Sequence, residues 1–495
     1  MVRNAVSDME AVAAMPGLEE LAEPIPRWMG WTRRTRSHPE SLLVFAAGQW
    51  PCRSANELDS LFKHTGVWEQ VRASAARVGR VLPEQPPTAD QYHRMRRASV
   101  ELAEELAGGV TGPAVSIARQ VGLLAAGERS SAATPERAQT VYGDGSVFKA
   151  LSDVEVAADG SVSGSRAKDP ANARVAEKLS SKHGARSGLP ITVVGCHGGL
   201  ARQRVILGLE LYRDGSESDS AERLIRRVDE AAAGGVHAVV YDGLFSGRVL
   251  HRLMRRGIVP VAPMPSGDAR RAGLDIPADL QRDRSHLREK RQPAKRRGKG
   301  RRRRSHTEPA AKSRVAVYDL GPLAHDTGGG CEHRLWAVDG ALTVTDPAGH
   351  PSLDSPVAVR ERLAFDGPAG ARRLVGVYRL PCERGPLRAE VELSGLRKGA
   401  NKHGEPMVLA DWVRPIPEID PAFDEVYGRR NDAESVFAWL KRQLPIEGRA
   451  TSISPEGFLV DLVGAALWCN AVAWDEHAAG HTSCARRGTD RPRRR

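Results

Sequence analysis

Residues 427–441 read YGRRNDAESVFAWLK, with Tyr427, Arg430, Glu434 and Lys441 at offsets 0, 3, 7 and 14. An α-helix turns ~100° per residue, so this spacing predicts that all four side chains project within ~60° of one another. Ala433, Val436, Phe437 and Leu440 fall on a neighbouring face, which can anchor the helix to a core. Core packing alone would fill the polar stripe with aliphatic residues, and a solvated face would scatter its charges. A narrow row of one hydroxyl, one carboxylate and two cations suits a wall that faces a phosphate chain and a metal ion.

Upstream, the texture predicts an α/β layered sheet. A strand over Gln139–Tyr142 runs into Gly143-Asp144-Gly145, which would put Asp144 at a strand end. Leu189–Gly195 and Val205–Tyr212 read as a hairpin around Gly198-Gly199. Ser220–Ala233 is an amphipathic helix closed by Gly234-Gly235, followed by a buried strand over His237–Tyr241 that ends in Asp242. A helix over Ser246–Arg256 stops at Gly257, and Ile258–Ala262 is again a strand. The order is three strands, helix, strand, helix, strand.

The flanks differ. Residues 1–130 show helical spacing at Ala55–Phe62, Trp68–Leu82, Ala89–Leu106 and Val115–Ala125. Arg94, Arg96 and Arg97 give one of these helices a basic side, open to two readings: a solvated face or a DNA contact. Residues 313–415 are dominated by short strands, and helical pattern returns at 422–443 and 455–475. The predicted organisation is a helical region at 1–130, a first core segment at 131–265, a basic linker at 266–312, a β-rich insertion at 313–415, closing helices at 416–480 and a basic tail at 481–495.

The net charge of +12 sits in two tracts. Arg282 to Arg304 holds 13 Lys/Arg against 2 Asp/Glu, and Cys484 to Arg495 holds 6 Arg against 1 Asp. Taking +11 and +5 from +12 leaves −4 for the rest. Such tracts favour a polyanion, and nucleic acid suits them better than a membrane surface. The six cysteines form no CxxC pair, which argues against a zinc ribbon and suits a reducing compartment. Cys196-His197 and Cys331-Glu332-His333 each offer two ligands with no matching second pair. No basic-then-apolar leader is seen. The apolar run Gly457–Trp474 contains Asp461 and Asn470, so it reads as a buried amphipathic helix rather than a membrane span.

Phosphodiester chemistry with two divalent ions ~3.5–4 Å apart needs carboxylate ligands from separate elements. Asp144 and Asp242 at strand ends, with Glu434 on a late helix, supply three. Asp153, Glu155, Asp424 and Asp432 are competing acidic residues nearby.

The pattern Tyr427-x2-Arg430-x3-Glu434-x6-Lys441 resembles the signature of bacterial insertion-sequence DDE transposases of the Tyr-Arg-Glu-Lys subgroup. The resemblance implies an α/β, ribonuclease-H-like mixed sheet flanked by helices, with a β-rich insertion between the second Asp and the Glu. It implies Asp144, Asp242 and Glu434 as catalytic metal ligands for two Mg²⁺ ions, with Mn²⁺ as a substitute. It further implies that Tyr427 and Arg430 hold phosphates beside the cleaved end and that Lys441 contacts the backbone near the scissile bond. The partners would be double-stranded transposon-end DNA and target DNA, bound by a homodimer at the nucleoid in the cytoplasm, with no membrane. Two departures stand out: the second Asp is followed by Gly243-Leu244-Phe245, with Gly and aromatic close to the usual places but not a perfect match, and Ala262-Pro263-Met264-Pro265 stands where relatives commonly show basic residues. Trp336 or Trp412 would either stack on an extruded base or serve as core tryptophan, the reading we favour.

Three competing functions are a catalytically inactive, transposase-derived DNA-binding protein, a different ribonuclease-H-like nuclease, and an RNA-binding protein led by the arginine tract. The retained carboxylates argue against the first, the β-rich insertion against the second, and the scarcity of aromatics around the tract against the third.

Overall fold

The computed structural model describes residues 4–29, 38–149, 186–264, 317–324 and 332–480, together with the short pairs 155–156, 162–163 and 176–177. Within those spans it omits 53, 65, 98–99, 127–129, 200–202, 213–216, 352–354, 369, 384, 386, 401–405, 445–447 and 453. Asp153, Cys331 and both basic tracts lie outside the described residues. The chain is mixed α/β and divides into two compact units. Unit 1 comprises Met1–Arg129, Glu136–His237 and Arg429–Arg495; unit 2 comprises Ser130–Pro135 and Ala238–Gly428.

Unit 1 opens with helices α1 (Ala5–Ala14), α2 (Leu18–Ala22), α3 (Pro24–Trp28), α4 (Pro39–Gly48), α5 (Ala55–Phe62), α6 (Val67–Arg77), α7 (Ala89–Arg96), α8 (Val100–Gly109) and α9 (Thr111–Gln120). Side-chain caps set several starts: Asn4, Ser54 and Thr88 each accept a backbone N–H of the first turn, Thr88 in a reciprocal capping box with Gln91. Strand β1 (Thr140–Lys149) follows, then the short β2 (Glu155–Val156), β3 (Val162–Ser163) and β4 (Ala176–Glu177), and the long β5 (Arg186–His197) and β6 (Arg204–Leu211). β5 pairs antiparallel with β1, Tyr142 opposite Gly195 and Lys149 opposite Gly188, and on its other edge with β6. The β5–β6 connection is the hairpin expected around Gly198-Gly199. Helix α10 (Glu217–Ala231) packs on β5 and β6 through Ala221, Leu224, Ile225 and Val228.

Unit 2 holds the parallel pair β7 (Ala238–Val240) and β8 (Val259–Val261), joined by α11 (Arg248–Arg256). That helix ends at Gly257, whose φ of 83° is left-handed and therefore favours glycine. Then come β9 (Val317–Ala324), β10 (Glu332–Val338) and β11 (Ala341–Thr345), ordered β11-β10-β9, and β12 (Val359–Asp366), β13 (Arg373–Leu380) and β14 (Leu387–Glu392), with β13 central. A last hairpin, β15 (Leu396–Ala400) with β16 (Pro406–Val408), precedes α12 (Pro421–Tyr427). Trp336 is buried in β10 with its indole N–H on Thr345, and Trp412 stacks on Tyr318 at 4.5 Å. Trp336 is in line with the core reading, whereas Trp412 is half-buried.

The chain returns to unit 1 with α13 (Arg430–Gln443) and α14 (Pro455–Ala478). α14 is the apolar run, and it differs from the amphipathic helix expected. It is long and apolar enough by composition to cross a membrane, yet most of it is buried among α1, α4, α8 and β6. Covered on several sides, it has no wet face to pattern. Its close crossing with α4 needs Gly464, where a Cβ would sit 2.2 Å from the Ala46 carbonyl oxygen. Its two polar residues are matched. Asn470 donates to the Ile206 carbonyl at 2.9 Å and accepts the Ile206 N–H at 2.7 Å. Asp461 is 1% exposed and pairs with Arg96 at 2.7 Å, with Tyr92 and Thr451 donating to the same carboxylate. Arg96 therefore turns into the core, and burial with the adjacent Asp461 charge pushes the Tyr92 hydroxyl well above its usual pKa.

Candidate functional site

The strand period of two places Asp144, Ser146 and Phe148 on one side of β1, and α13 lies along that side. Arg430, Phe437 and Lys441, at i, i+7 and i+11, form the matching stripe on the helix. Arg430 Nη2 lies 3.6 Å from Asp144 Oδ1, and its Nη1 donates to Glu434 Oε1 at 2.5 Å. Phe437 packs against Phe148, with ring centroids 6.2 Å apart. Lys441 Nζ donates to Ser146 Oγ at 2.7 Å and lies 5.3 Å from the Phe148 ring centre. Helical side chains lean towards the N-terminus, which lets Lys441 reach back along the strand to Ser146. The polar stripe thus docks the helix on β1 as well as presenting charge.

Asp144 differs from the expectation of a strand end. β1 continues through it to Lys149, because Gly143 and Gly145 sit in register opposite Val194 and Thr192 instead of forming a turn. Gly145 faces the other side of the sheet, where a Cβ would meet the Glu217 carboxylate at 2.2 Å. A side chain at 145 would displace Glu217.

Tyr427 is the second correction. The helical pattern at 422–443 is broken at Gly428 and Arg429, so α12 ends at Tyr427 and α13 begins at Arg430. Glycine is a poor helix former, and here it marks the boundary between the units. Arg430, Glu434 and Lys441 share a helix, whereas Tyr427 stacks on Phe423 at 4.8 Å and packs on a cluster that includes Val240, Val261, Ile416 and Val426. Asp242 also belongs to unit 2. Its Oδ1 accepts the Leu244 N–H at 2.9 Å, so the carboxylate closes the turn after β7 and does not cap α11, whose N-cap is Gly247. Tyr241 and Phe245, both fully buried, stack at 4.2 Å across this turn.

A second set of contacts fixes the start of α13. Arg429 donates to Thr140 Oγ1 at 2.7 Å, and Arg204 donates to Ser435 Oγ at 2.6 Å. Asp432 accepts from Arg137 at 2.6 Å and lies 3.0 Å from His197 Nδ1. Burial alone would raise the Asp432 pKa, but the His197 hydrogen bond and the charges of His197, Arg137 and Arg204 outweigh it and hold the carboxyl below the usual range. These partners carry no spacing signal; the one legible cue was an acidic residue in a first helical turn. His197 is thus engaged with Asp432, and burial pushes the neighbouring Cys196 thiol up. Among the described residues, no group of three or more His, Cys, Asp or Glu is close enough to hold a metal ion.

Within unit 1, then, one guanidinium serves two carboxylates from distant parts of the chain. Side-chain exposure rises outward, from 15% at Asp144 through 24% at Arg430 to 53% at Glu434. No protein-family model matches the chain, and no curated protein matches it.

Proposed function

We propose that the chain is a DDE transposase with a ribonuclease-H-like catalytic core, which cleaves the ends of a mobile element and joins the freed 3′-hydroxyl to target DNA. The reading starts from the Tyr427-Arg430-Glu434-Lys441 signature. One observation supports it above the others: Asp144 on β1 and Glu434 on α13 meet the same cationic group, the Arg430 guanidinium. Two carboxylates that share one cation fit the requirement for a divalent metal. Asp144 and Glu434 would hold Mg²⁺ or Mn²⁺, and Asp242 joins them on the sequence resemblance alone. When bound, such ions neutralise charge on the attacking and leaving oxygens of the phosphoryl group.

The residues of the chain supply the rest. Arg430 offers a planar fork for a phosphate, which takes two parallel hydrogen bonds. Lys441 adds a point charge while holding α13 on β1. The Asp432 contacts keep the helix start fixed, so Glu434 is presented at a set depth and orientation. The partners in this reading are transposon-end and target DNA, with two copies of the chain pairing the two ends.

A DNA-binding descendant without catalysis is the second reading. It is favoured by the same guanidinium, which already neutralises both carboxylates. Gel assays of end DNA with Mg²⁺, Mn²⁺ and EDTA separate the two. The transposase reading expects metal-dependent cutting that Glu434→Gln abolishes while DNA binding persists. Binding without cutting under every condition would establish the descendant, and undiminished cutting by Glu434→Gln would remove that residue from the mechanism.

A further inference from the structure

We propose that Arg430 is an internal counter-cation that couples phosphate binding to divalent-cation binding at this site. Its guanidinium hydrogen-bonds Glu434 at 2.5 Å and lies 3.6 Å from Asp144. A phosphodiester that takes over the guanidinium releases both carboxylates to a metal ion. The proposal rests on the metal-dependent reading above and adds how that site is gated.

The geometry supplies the argument. Arg430 uses Nη1 for Glu434 and Nη2 for Asp144, so a single delocalised charge compensates two anions. Any divalent ion bound by those oxygens supplies the same compensation and leaves the guanidinium without its anions. Arg430 is also the first residue of α13, where a cation opposes the helix dipole. The two carboxylates offset that opposition. A phosphate would be a better partner there, since it matches the fork and suits the positive end of the helix.

The surrounding contacts let the side chain move while the helix stays. Arg429, Asp432 and Ser435 tie the start of α13 to Thr140, Arg137, His197 and Arg204, and Lys441 is tied to Ser146. Arg430 is 24% exposed, within reach of a ligand from solvent. The coupling is reciprocal: phosphate tightens the metal by the factor by which metal tightens the phosphate.

The test measures Mn²⁺ binding by electron paramagnetic resonance on the full chain, with and without a short blunt duplex that lacks element ends, after subtracting a duplex-only blank. The wild-type protein is expected to bind Mn²⁺ weakly alone and about fivefold or more tightly with duplex, the lower end of usual coupling factors. Arg430→Gln is expected to bind Mn²⁺ tightly without duplex and to gain nothing from it. Arg430→Lys, which keeps the charge but loses the fork, should fall between the two. If Arg430→Gln binds no tighter than wild type while Glu434→Gln binds less, the coupling is wrong and the metal-dependent reading stands. If neither wild type nor Arg430→Gln binds Mn²⁺, both are overturned.

Discussion

Two arginine–carboxylate arrangements in unit 1 use the same chemistry in opposite surroundings. Arg96 and Asp461 meet at 2.7 Å between α7 and α14, with side-chain exposures of 15% and 1%. Tyr92 and Thr451 complete the Asp461 shell. Arg430 meets Asp144 of β1 and Glu434 of α13, where Glu434 is half in water. The first pair is enclosed, with Tyr92 and Thr451 donating to the same carboxylate, so losing either partner strands a buried charge. The second shares one cation between two anions, with Asp144 largely covered and only Glu434 half in water, so the Glu434 contact can exchange partners at small cost. Enclosure makes an ion pair structural; partial exposure keeps it available to a ligand.

The largest effect should come from breaking the enclosed pair. Arg96→Met is expected to destabilise the protein by about 3–5 kcal/mol in urea unfolding, because Asp461 remains buried without its cation. A loss below ~1 kcal/mol would place Arg96–Asp461 with ordinary surface pairs and remove the contrast.

Asp432 lies between the extremes, with a carboxyl that is mostly enclosed by Arg137 and His197. Its depressed pKa means that folded and unfolded states bind protons differently as the pH falls. The stabilisation is present above the unfolded aspartate value of about 3.9 and is lost as the pH drops through the lower folded value. Asp432→Asn should therefore cost on the order of 1–2 kcal/mol at pH 6, with the difference from wild type shrinking in strong acid. A constant difference across the acid range would mean that the ionised form contributes nothing.

The smallest effect is expected at Arg430. Arg430→Gln should change unfolding free energy by less than about 1 kcal/mol at neutral pH, since its hydrogen-bonded partner Glu434 is half in water and Asp144 is 3.6 Å away. A loss approaching that of Arg96→Met would show that Arg430 is a structural clamp and would count against its role as an exchangeable cation.

The same contrast bears on what a sequence reveals. The stripe at Arg430, Glu434 and Lys441 was legible because helical periodicity is local, and each pair of neighbours lies within three turns. The Gly428 break was not anticipated, although the residue stands in plain view between Tyr427 and Arg430. A glycine inside a periodic segment can be tolerated or can end the helix, and packing decides which. Burial of the 457–474 segment was legible from its composition, but the partner of its aspartate was not. Tyr92 lies 369 residues from Asp461, and no pattern connects two residues that far apart.

By itself, the sequence determined the α/β class of 137–262, the helical start, the strand-rich 313–415 region and the charged face of α13. Each follows from side chains repeating with the period of a helix or a strand. Only the tertiary structure decided that Arg96 points into a core, that Asp144 stands mid-strand, that the helix carrying Tyr427 ends before Arg430, and that one guanidinium serves Asp144 and Glu434. Those are contacts between segments remote along the chain. Their energies depend on burial and distance, which exist only once the elements have packed.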